Sequence, residues 1–276
     1  MPKSFANDGT HYERPFSWWG YQWSPAEARS LPWLVQAGSL DAQSAAFLSL
    51  AIEARRNLVI AAVPHQAGKS TLLTALLDFL PPETQPIYVR GLYERFEFVA
   101  DTAPDNVYIL CNEISAHLPT YLWGPGVRRL FDALQQGFRM ATTMHAGSGS
   151  EVLEQLTNHP LNVPADKAVA IDLVVTLSLG YIDNHLSRRM IGVERVVAGP
   201  DGPYIESLVE RVPFRAAPRS QPGRMVRALI DWSEVDDETA ARNLASRTRL
   251  IERWVRQEVL EPATVRTAIA ELRGAG

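Results

Sequence analysis

Residues 63–71, VPHQAGKST, contain a glycine, a lysine and two hydroxyl side chains in the order found at the end of a phosphate-binding loop. In such a loop, backbone N–H groups and the N-terminus of the next helix point at the phosphates. Lys69 would neutralise the β- and γ-phosphates, Ser70 would bind Mg²⁺, and Gly68 would allow close backbone approach. We therefore predict a nucleotide site formed by Val63, Pro64, His65, Gln66, Ala67, Gly68, Lys69, Ser70 and Thr71. The alternative is a turn that contains AGKST by chance.

Val63 departs from the pattern G-x-x-x-x-G-K-[ST], which has glycine at this position. A β-branched residue resists the positive φ that glycine tolerates. The loop keeps its shape if Val63 stays extended, which the following Pro64 favours, and if residues 64–67 make the turn. Lysine occurs at only three positions in the chain, so a lysine within GKST favours a functional role.

Two further side chains with suitable chemistry follow predicted strands. Glu113 comes after an apolar run at 107–111, where a carboxylate beside a phosphate loop can bind Mg²⁺ through water or orient the attacking water. His145 follows a strand predicted at 140–144 and could contact the γ-phosphate. The simpler alternatives are a solvent-facing glutamate and an ordinary hydrogen-bonding histidine. The other five histidines show no metal-ligand spacing, so no metal cluster is predicted.

The elements around these residues alternate between strand and helix. Residues 57–63, NLVIAAV, form a short apolar run, which is typical of a strand buried on both faces of a sheet. The helical run TLLTALLDFL follows the loop, so strand, loop and helix come in the order that a phosphate loop requires. Further strands are predicted at 86–90, 107–111, 140–144 and 171–177, helices at 41–55 and 127–136, and a hairpin through 190–197 and 204–209. The pattern predicts an α/β fold with a mainly parallel sheet and an antiparallel extension.

The length of 276 residues suits either one large domain or one domain plus an appendage. Residues 1–23 contain three closely spaced tryptophans and are interpreted as an aromatic arm that packs on the domain, with a docking surface as the alternative. A capped helix start is predicted at 24–27. The proline- and arginine-rich stretch 213–223 predicts a linker to a helical region at 224–276.

Composition narrows the function classes. The formal net charge of −4 argues against a generally basic, nucleic-acid-binding surface. Cys111 is the only cysteine, which excludes a disulfide within the chain and fits a reducing compartment. The first residues show no apolar stretch of a secretory signal, and no apolar run is long enough to cross a bilayer. A cytoplasmic protein is therefore expected.

Three stretches in sequence order resemble the secretion-motor ATPase superfamily, which drives type II and type IV secretion and pilus or archaellum assembly. They are GKST at 68–71, the apolar strand that ends in Asn112-Glu113, and ALQQGFRMATTMHAGS at 133–148. PLNVP at 160–164, followed by IDLVV at 171–175, is similar to the archaeal and tight-adherence branch of that superfamily. The resemblance covers most of residues 24–273, and the region around His145 is its most specific part.

The resemblance implies a RecA-like P-loop core over 24–212 with a helical lead-in, and a C-terminal helical bundle. It implies ATP and Mg²⁺ as ligands, a hexameric homo-oligomer, and a platform protein of the inner membrane as partner, with no nucleic acid. The chain would then work in the cytoplasm or at the inner face of the membrane. Glu113 would activate water, His145 would sense the phosphate, and Glu94 is the candidate second acid. Arginine functions would fall to Arg95, Arg128 or Arg129.

The chain also departs from the superfamily pattern. Val63 and Asn112 replace glycines, and the interval between Lys69 and Glu113 is shorter than usual. The separate N-terminal domain of the superfamily is not expected, since few residues precede the helical lead-in. Two alternatives stay open on these grounds: a catalytically degenerate regulatory or scaffolding relative, and a nucleic-acid translocase, which the acidic composition disfavours.

Overall fold

The computed structural model describes residues 28–200, 202–210, 212–216 and 219–274. The helices are α1 Leu31–Gln36, α2 Ala42–Glu53, α3 Lys69–Leu77, α4 Phe98–Asp101, α5 Pro125–Gln135, α6 Gly149–Thr157, α7 Ala165–Ala168, α8 Pro222–Ser233, α9 Asp237–Arg256 and α10 Pro262–Gly274. The strands are β1 Leu58–Ala61, β2 Gln85–Tyr88, β3 Val107–Leu110, β4 Arg139–Met144, β5 Leu173–Ile182, β6 His185–Gly199, β7 Gly202–Glu210 and β8 Arg219–Ser220.

All eight strands form one sheet in the order β2-β3-β4-β1-β5-β6-β7-β8. The pairs among β2, β3, β4, β1 and β5 are parallel, and the pairs from β5 to β8 are antiparallel. This sheet confirms the predicted α/β fold, its mainly parallel sheet and its antiparallel extension. Because β4 lies between β1 and β3, the carboxyl ends of these three strands meet at one edge of the sheet.

The continuous apolar character of β1 follows from its central place in the sheet. Leu58 and Ile60 point into a core shared with α2 and α3, whereas Val59 and Ala61 point into a second core shared with α5 and α6. Successive side chains of a strand face opposite sides, so a strand covered on both sides needs apolar residues throughout. The sheet is thus held between two helical layers, and its carboxyl edge is fixed from both sides.

Helix starts follow local capping chemistry. Asp41 caps α2 by accepting a hydrogen bond from the Ser44 backbone N–H at 2.8 Å, which confirms the predicted helix at 41–55. Ser30 caps α1 in the same way, with Pro32 in the first turn. The helix start predicted at 24–27 and the tryptophans of residues 1–23 lie outside the described residues.

The stretch predicted as a linker at 213–223 differs in the structure. Ser220 pairs with Val209 in the sheet, the Gln221 N–H donates to the Leu208 carbonyl at 2.8 Å, and α8 begins at Pro222. Composition suggested a linker because proline and arginine are frequent there, but the pairing with β7 is a long-range contact that composition does not report. The helices after this stretch bury Met225, Leu244, Ile251, Trp254 and Val265 in the same core as α2.

Among the described residues, none of the helices combines the length and the apolar character needed to cross a membrane.

Candidate nucleotide site

The 63–71 loop makes its turn without a glycine at position 63. Gln66 and Gly68 have φ values of 60° and 94°, whereas Val63 lies outside the positive region. The Val63 side chain is 62% exposed, so it does not fill the loop. Gly68 is the position at which glycine matters most, because it starts α3 in a left-handed conformation. The departure at Val63 is therefore compatible with the loop conformation.

The end of the loop offers donors to an anion. The first backbone N–H groups of a helix have no carbonyl partner within that helix, and the helix dipole favours negative charge there. Lys69 and Ser70 are the first two residues of α3, which is 9 residues long. Ala67 is buried, whereas Ser70 is exposed. Because Ser70 is exposed, its hydroxyl is accessible to a cation beside bound phosphates. These residues fit a Mg²⁺–nucleotide complex.

Glu113 faces the lysine of this loop. Lys69 Nζ lies 3.7 Å from Glu113 Oε2, and both side chains are more than nine-tenths buried. Burial lowers the pKa of Lys69, and the charge of Glu113 opposes this shift. Thr143 supports the carboxylate: its hydroxyl donates to the Asn112 carbonyl at 2.8 Å and lies 3.4 Å from Glu113 Oε2. The predicted site residues Lys69 and Glu113 are thus brought together.

His145 lies against the other oxygen of the same carboxylate. Its Nε2 is 3.3 Å from Glu113 Oε1, without the alignment of a hydrogen bond, and Glu113 Oε1 is buried without a hydrogen-bond partner. Burial lowers the pKa of His145; Lys69 lowers it further, and Glu113 opposes the shift. The Gln155 side chain donates to the His145 carbonyl at 2.8 Å and anchors this end of β4. A neutral imidazole can donate or accept one hydrogen bond at each ring nitrogen.

The other predicted side chains make local contacts. Glu94 accepts hydrogen bonds from the backbone N–H groups of Arg90 at 2.9 Å and Phe96 at 2.6 Å, which hold its own loop rather than reaching Lys69. Arg128 donates to the Leu161 carbonyl at 2.8 Å, and the exposed Arg95 lies 3.8 Å from Glu97. Their roles in catalysis stay predictions.

Two side chains of the site are missing from the sequence-based prediction. Arg188 of β6 donates from Nε to the Gln66 carbonyl at 2.7 Å and so contacts the 63–71 loop from the side. His117 lies near Glu113 and His145, with one ligand atom from each of the three residues within 4.8 Å of the others. The spacing of four residues between Glu113 and His117 could have drawn attention to the histidine, whereas no local pattern marks Arg188.

The proteins with which the chain is compared below are distant from it in sequence. No family model matches the chain. Two proteins of Methanocaldococcus jannaschii are each 22% identical to it: "Uncharacterized protein MJ1287" over 79% of this chain and 88% of that protein, and "Uncharacterized protein MJ0900" over 87% and 48%. The chain therefore spans about half the length of the second relative.

Among solved structures, the chain is similar to the VirB11 ATPase from the Brucella suis type IV secretion system, with 22% identity, a TM-score of 0.40, and coverage of 60% of this chain and 54% of that chain. It is also similar to the Legionella pneumophila ATPase DotB, with 12% identity, a TM-score of 0.37, and coverage of 75% and 56%. At these TM-scores no argument about activity rests on the likeness. The first of these structures is described as an ATPase of a type IV secretion system and the second as an ATPase.

Proposed function

We propose that this chain binds Mg²⁺–ATP through the 63–71 loop and hydrolyses it as a motor subunit of a type II or type IV secretion or pilus-assembly system. The observation that carries the proposal is the meeting of Lys69, Glu113 and His145 at one edge of the sheet, each delivered by a different parallel strand or the loop that follows it. A phosphate loop with its lysine, and a nearby carboxylate that can position water, are among the groups that phosphoryl transfer to water uses. The RecA-like character of the core is part of this proposal.

Each side chain has a role that follows from its position. Lys69 and the first amides of α3 neutralise and hold the β- and γ-phosphates, and the Ser70 hydroxyl holds Mg²⁺, which supplies positive charge to the transferring group. Glu113 orients the attacking water. His145 places an imidazole nitrogen where it can bond an oxygen of the γ-phosphate. When phosphate enters, Lys69 exchanges Glu113 for the nucleotide, which releases the carboxylate for water.

The assembly is part of the same proposal. A hexameric ring would place an arginine of one subunit near the phosphates of the next, with Arg95, Arg128 and Arg129 as candidates. The ring would act on a platform protein of the inner membrane from the cytoplasmic side. The net charge of −4 does not favour a nucleic-acid track.

The second candidate is a relative that binds nucleotide weakly and regulates or scaffolds a separate motor. The pairing of Lys69 with Glu113 favours it, because a lysine held at 3.7 Å from a buried carboxylate must give up that partner before it binds phosphate. Two departures from the superfamily pattern also favour this candidate. They are Asn112 beside Glu113 and the short interval between Lys69 and Glu113.

Steady-state phosphate release with Mg²⁺–ATP separates the two candidates. We expect Lys69→Ala and Glu113→Gln to reduce the rate by more than about 100-fold, the scale on which removal of a positioned catalytic group acts. Titration with a fluorescent ATP analogue should show loss of binding for Lys69→Ala and retained binding for Glu113→Gln. A wild-type rate no higher than that of these variants would contradict the motor and leave the regulatory candidate, provided that the analogue still binds.

A further inference from the structure

Glu113, His117 and His145 form a donor set that the nucleotide chemistry does not use as a whole. One ligand atom of each residue lies within 4.8 Å of the other two. Glu113 Oε1, the carboxylate oxygen on the His145 side, is buried and has no hydrogen-bond partner. A buried acceptor without a partner costs free energy, so its position beside the His145 imidazole, in a cluster that includes His117, calls for an explanation.

The backbone holds this set in place. The loop after β3 is pinned on both sides: the Ile114 N–H donates to the Thr143 carbonyl at 3.0 Å, and the Leu122 N–H donates to the Glu113 carbonyl at 2.9 Å. Ser115 Oγ lies 2.8 Å from His117 Nδ1 and orients that ring. Hydrogen bonds of this kind to one ring nitrogen commonly orient a metal-binding imidazole.

We propose that Glu113, His117 and His145 bind one transition-metal ion of the zinc type. Two histidines and one glutamate are a known three-residue ligand set for Zn²⁺, with a water in the fourth position. With zinc–nitrogen distances of about 2.0–2.1 Å, ligand atoms of a tetrahedral site lie about 3.4 Å apart, so the set must close slightly. His117 is exposed, on a loop anchored at its two ends, and can make that movement.

The site differs from the Mg²⁺ site at Ser70 in chemistry. Mg²⁺ prefers oxygen ligands in octahedral geometry, whereas imidazole favours Zn²⁺, Ni²⁺ or Cu²⁺. The two carboxylate oxygens of Glu113 also face different groups. Oε2 faces Lys69 and Thr143, while Oε1 faces His145 and is the free acceptor.

The direct test is a zinc titration of the nucleotide-free chain, after removal of any polyhistidine tag, in competition with a fluorescent zinc chelator. We expect one Zn²⁺ per chain, a weakening of more than about 100-fold for His117→Ala, and about 10- to 100-fold for Ser115→Ala, which removes only the orienting hydroxyl. His185→Ala is the matched control, because it removes an exposed histidine at the start of β6, next to the β5–β6 turn. Circular dichroism confirms that each variant is folded.

Cobalt substitution gives a second readout. Co²⁺ in a tetrahedral site with nitrogen ligands should give visible absorption with wild type and His185→Ala and not with His117→Ala or Glu113→Gln. Zinc binding that is absent in wild type, or equal in wild type and His117→Ala, would overturn the proposal. Displacement of Zn²⁺ by millimolar Mg²⁺ would also overturn it, since the site would then be one for hard cations.

A consequence for activity rests on the proposed function. A metal on Glu113 competes with its orientation of water, so ATP hydrolysis should fall as the zinc site fills. The binding measurement contains no nucleotide, so a chain that binds Zn²⁺ without hydrolysing ATP contradicts the motor and leaves the metal site intact. A chain that hydrolyses ATP and does not bind Zn²⁺ contradicts the metal site and leaves the proposed ATPase activity intact.

Discussion

Replacing Arg188 with alanine should weaken nucleotide binding although Arg188 lies outside the phosphate-loop sequence. Its guanidinium donates to the Gln66 carbonyl at 2.7 Å, and Gln66 has a φ of 60°. A non-glycine residue in the left-handed region costs about 1–2 kcal/mol, which neighbouring contacts must offset. The bond lies in an exposed region, so its net contribution is about 1 kcal/mol. Its loss should therefore lower the affinity for Mg²⁺–ATP by about fivefold, because the nucleotide must then order the loop itself.

Fluorescence titration with an ATP analogue measures the change, and two further variants define it. Arg189→Ala removes the neighbouring arginine, whose side chain lies on the opposite face of the strand, and should bind as wild type does. Gln66→Gly relieves the strain at that position, so adding it to Arg188→Ala should recover part of the loss. Affinity of Arg188→Ala within about twofold of wild type, or an equal loss in Arg189→Ala, would refute the reasoning.

Three further outcomes follow from the described contacts. Val63→Gly should bind the ATP analogue within about twofold of the wild-type affinity, because position 63 needs no positive φ. It should also lower the free energy of unfolding by about 0.5–1 kcal/mol, because glycine adds freedom to the unfolded chain. A tenfold gain in affinity would contradict this reasoning. Burial raises the pKa of Cys111 to about 12, so iodoacetamide at pH 8 should modify the native chain more than about 1000-fold more slowly than the urea-unfolded chain. Burial raises the pKa of Asp172, and this shift is opposed by the Asn57 N–H and by Arg56. The native state therefore binds more protons than the unfolded state, so the free energy of unfolding falls as the pH rises from about 4 through the raised pKa. Urea midpoints of Asp172→Asn across pH 4–7 should lack this fall.

The strand–loop–helix unit at the site could be predicted because each of its parts is a local pattern. The apolar run before Val63 predicts a strand buried on both faces, and the apolar run after GKST predicts a helix, as β1 and α3 confirm. That the loop between them binds phosphate stays a prediction. Glu113 and His145 could be placed beside the loop because each follows a predicted strand, and the carboxyl ends of parallel strands meet at one edge of a sheet. These inferences need only the strand ends and the parallel pairing.

The residues that could not be predicted depend on long-range pairing. Arg188 contacts Gln66 across 122 positions, and no spacing near either residue indicates the pair. His117 meets His145 only because β3 pairs with β4 and the loop after β3 folds back onto it. β8 has a linker composition and is a strand only because β7 offers it an edge. Local propensity and spacing carry no information about such contacts.

The position of Arg188 follows from the length of the β5–β6 hairpin. β5 pairs with β1 only from Leu173 to Thr176, and the two strands of the hairpin continue pairing from Leu177 to Ile182 after a register shift. Because β5 is parallel to β1, this continuation runs past the end of β1 in the direction that the phosphate loop takes. Arg188 pairs with Leu179, three residues beyond Thr176, which places it about 10 Å past the end of β1.

The hairpin therefore forms a side wall of the site that belongs to the same chain. The register shift at Thr176 and Leu177 bends the ribbon, as irregular pairing does in antiparallel strands. Gly180 permits a close contact on this ribbon, because an added Cβ would lie 2.7 Å from the Phe214 ring. Arg188 contacts the turn of the 63–71 loop from this wall, through the Gln66 carbonyl. The antiparallel extension and the 63–71 loop are thus in direct contact, so we expect a change in the curvature of the hairpin to shift the position of Gln66.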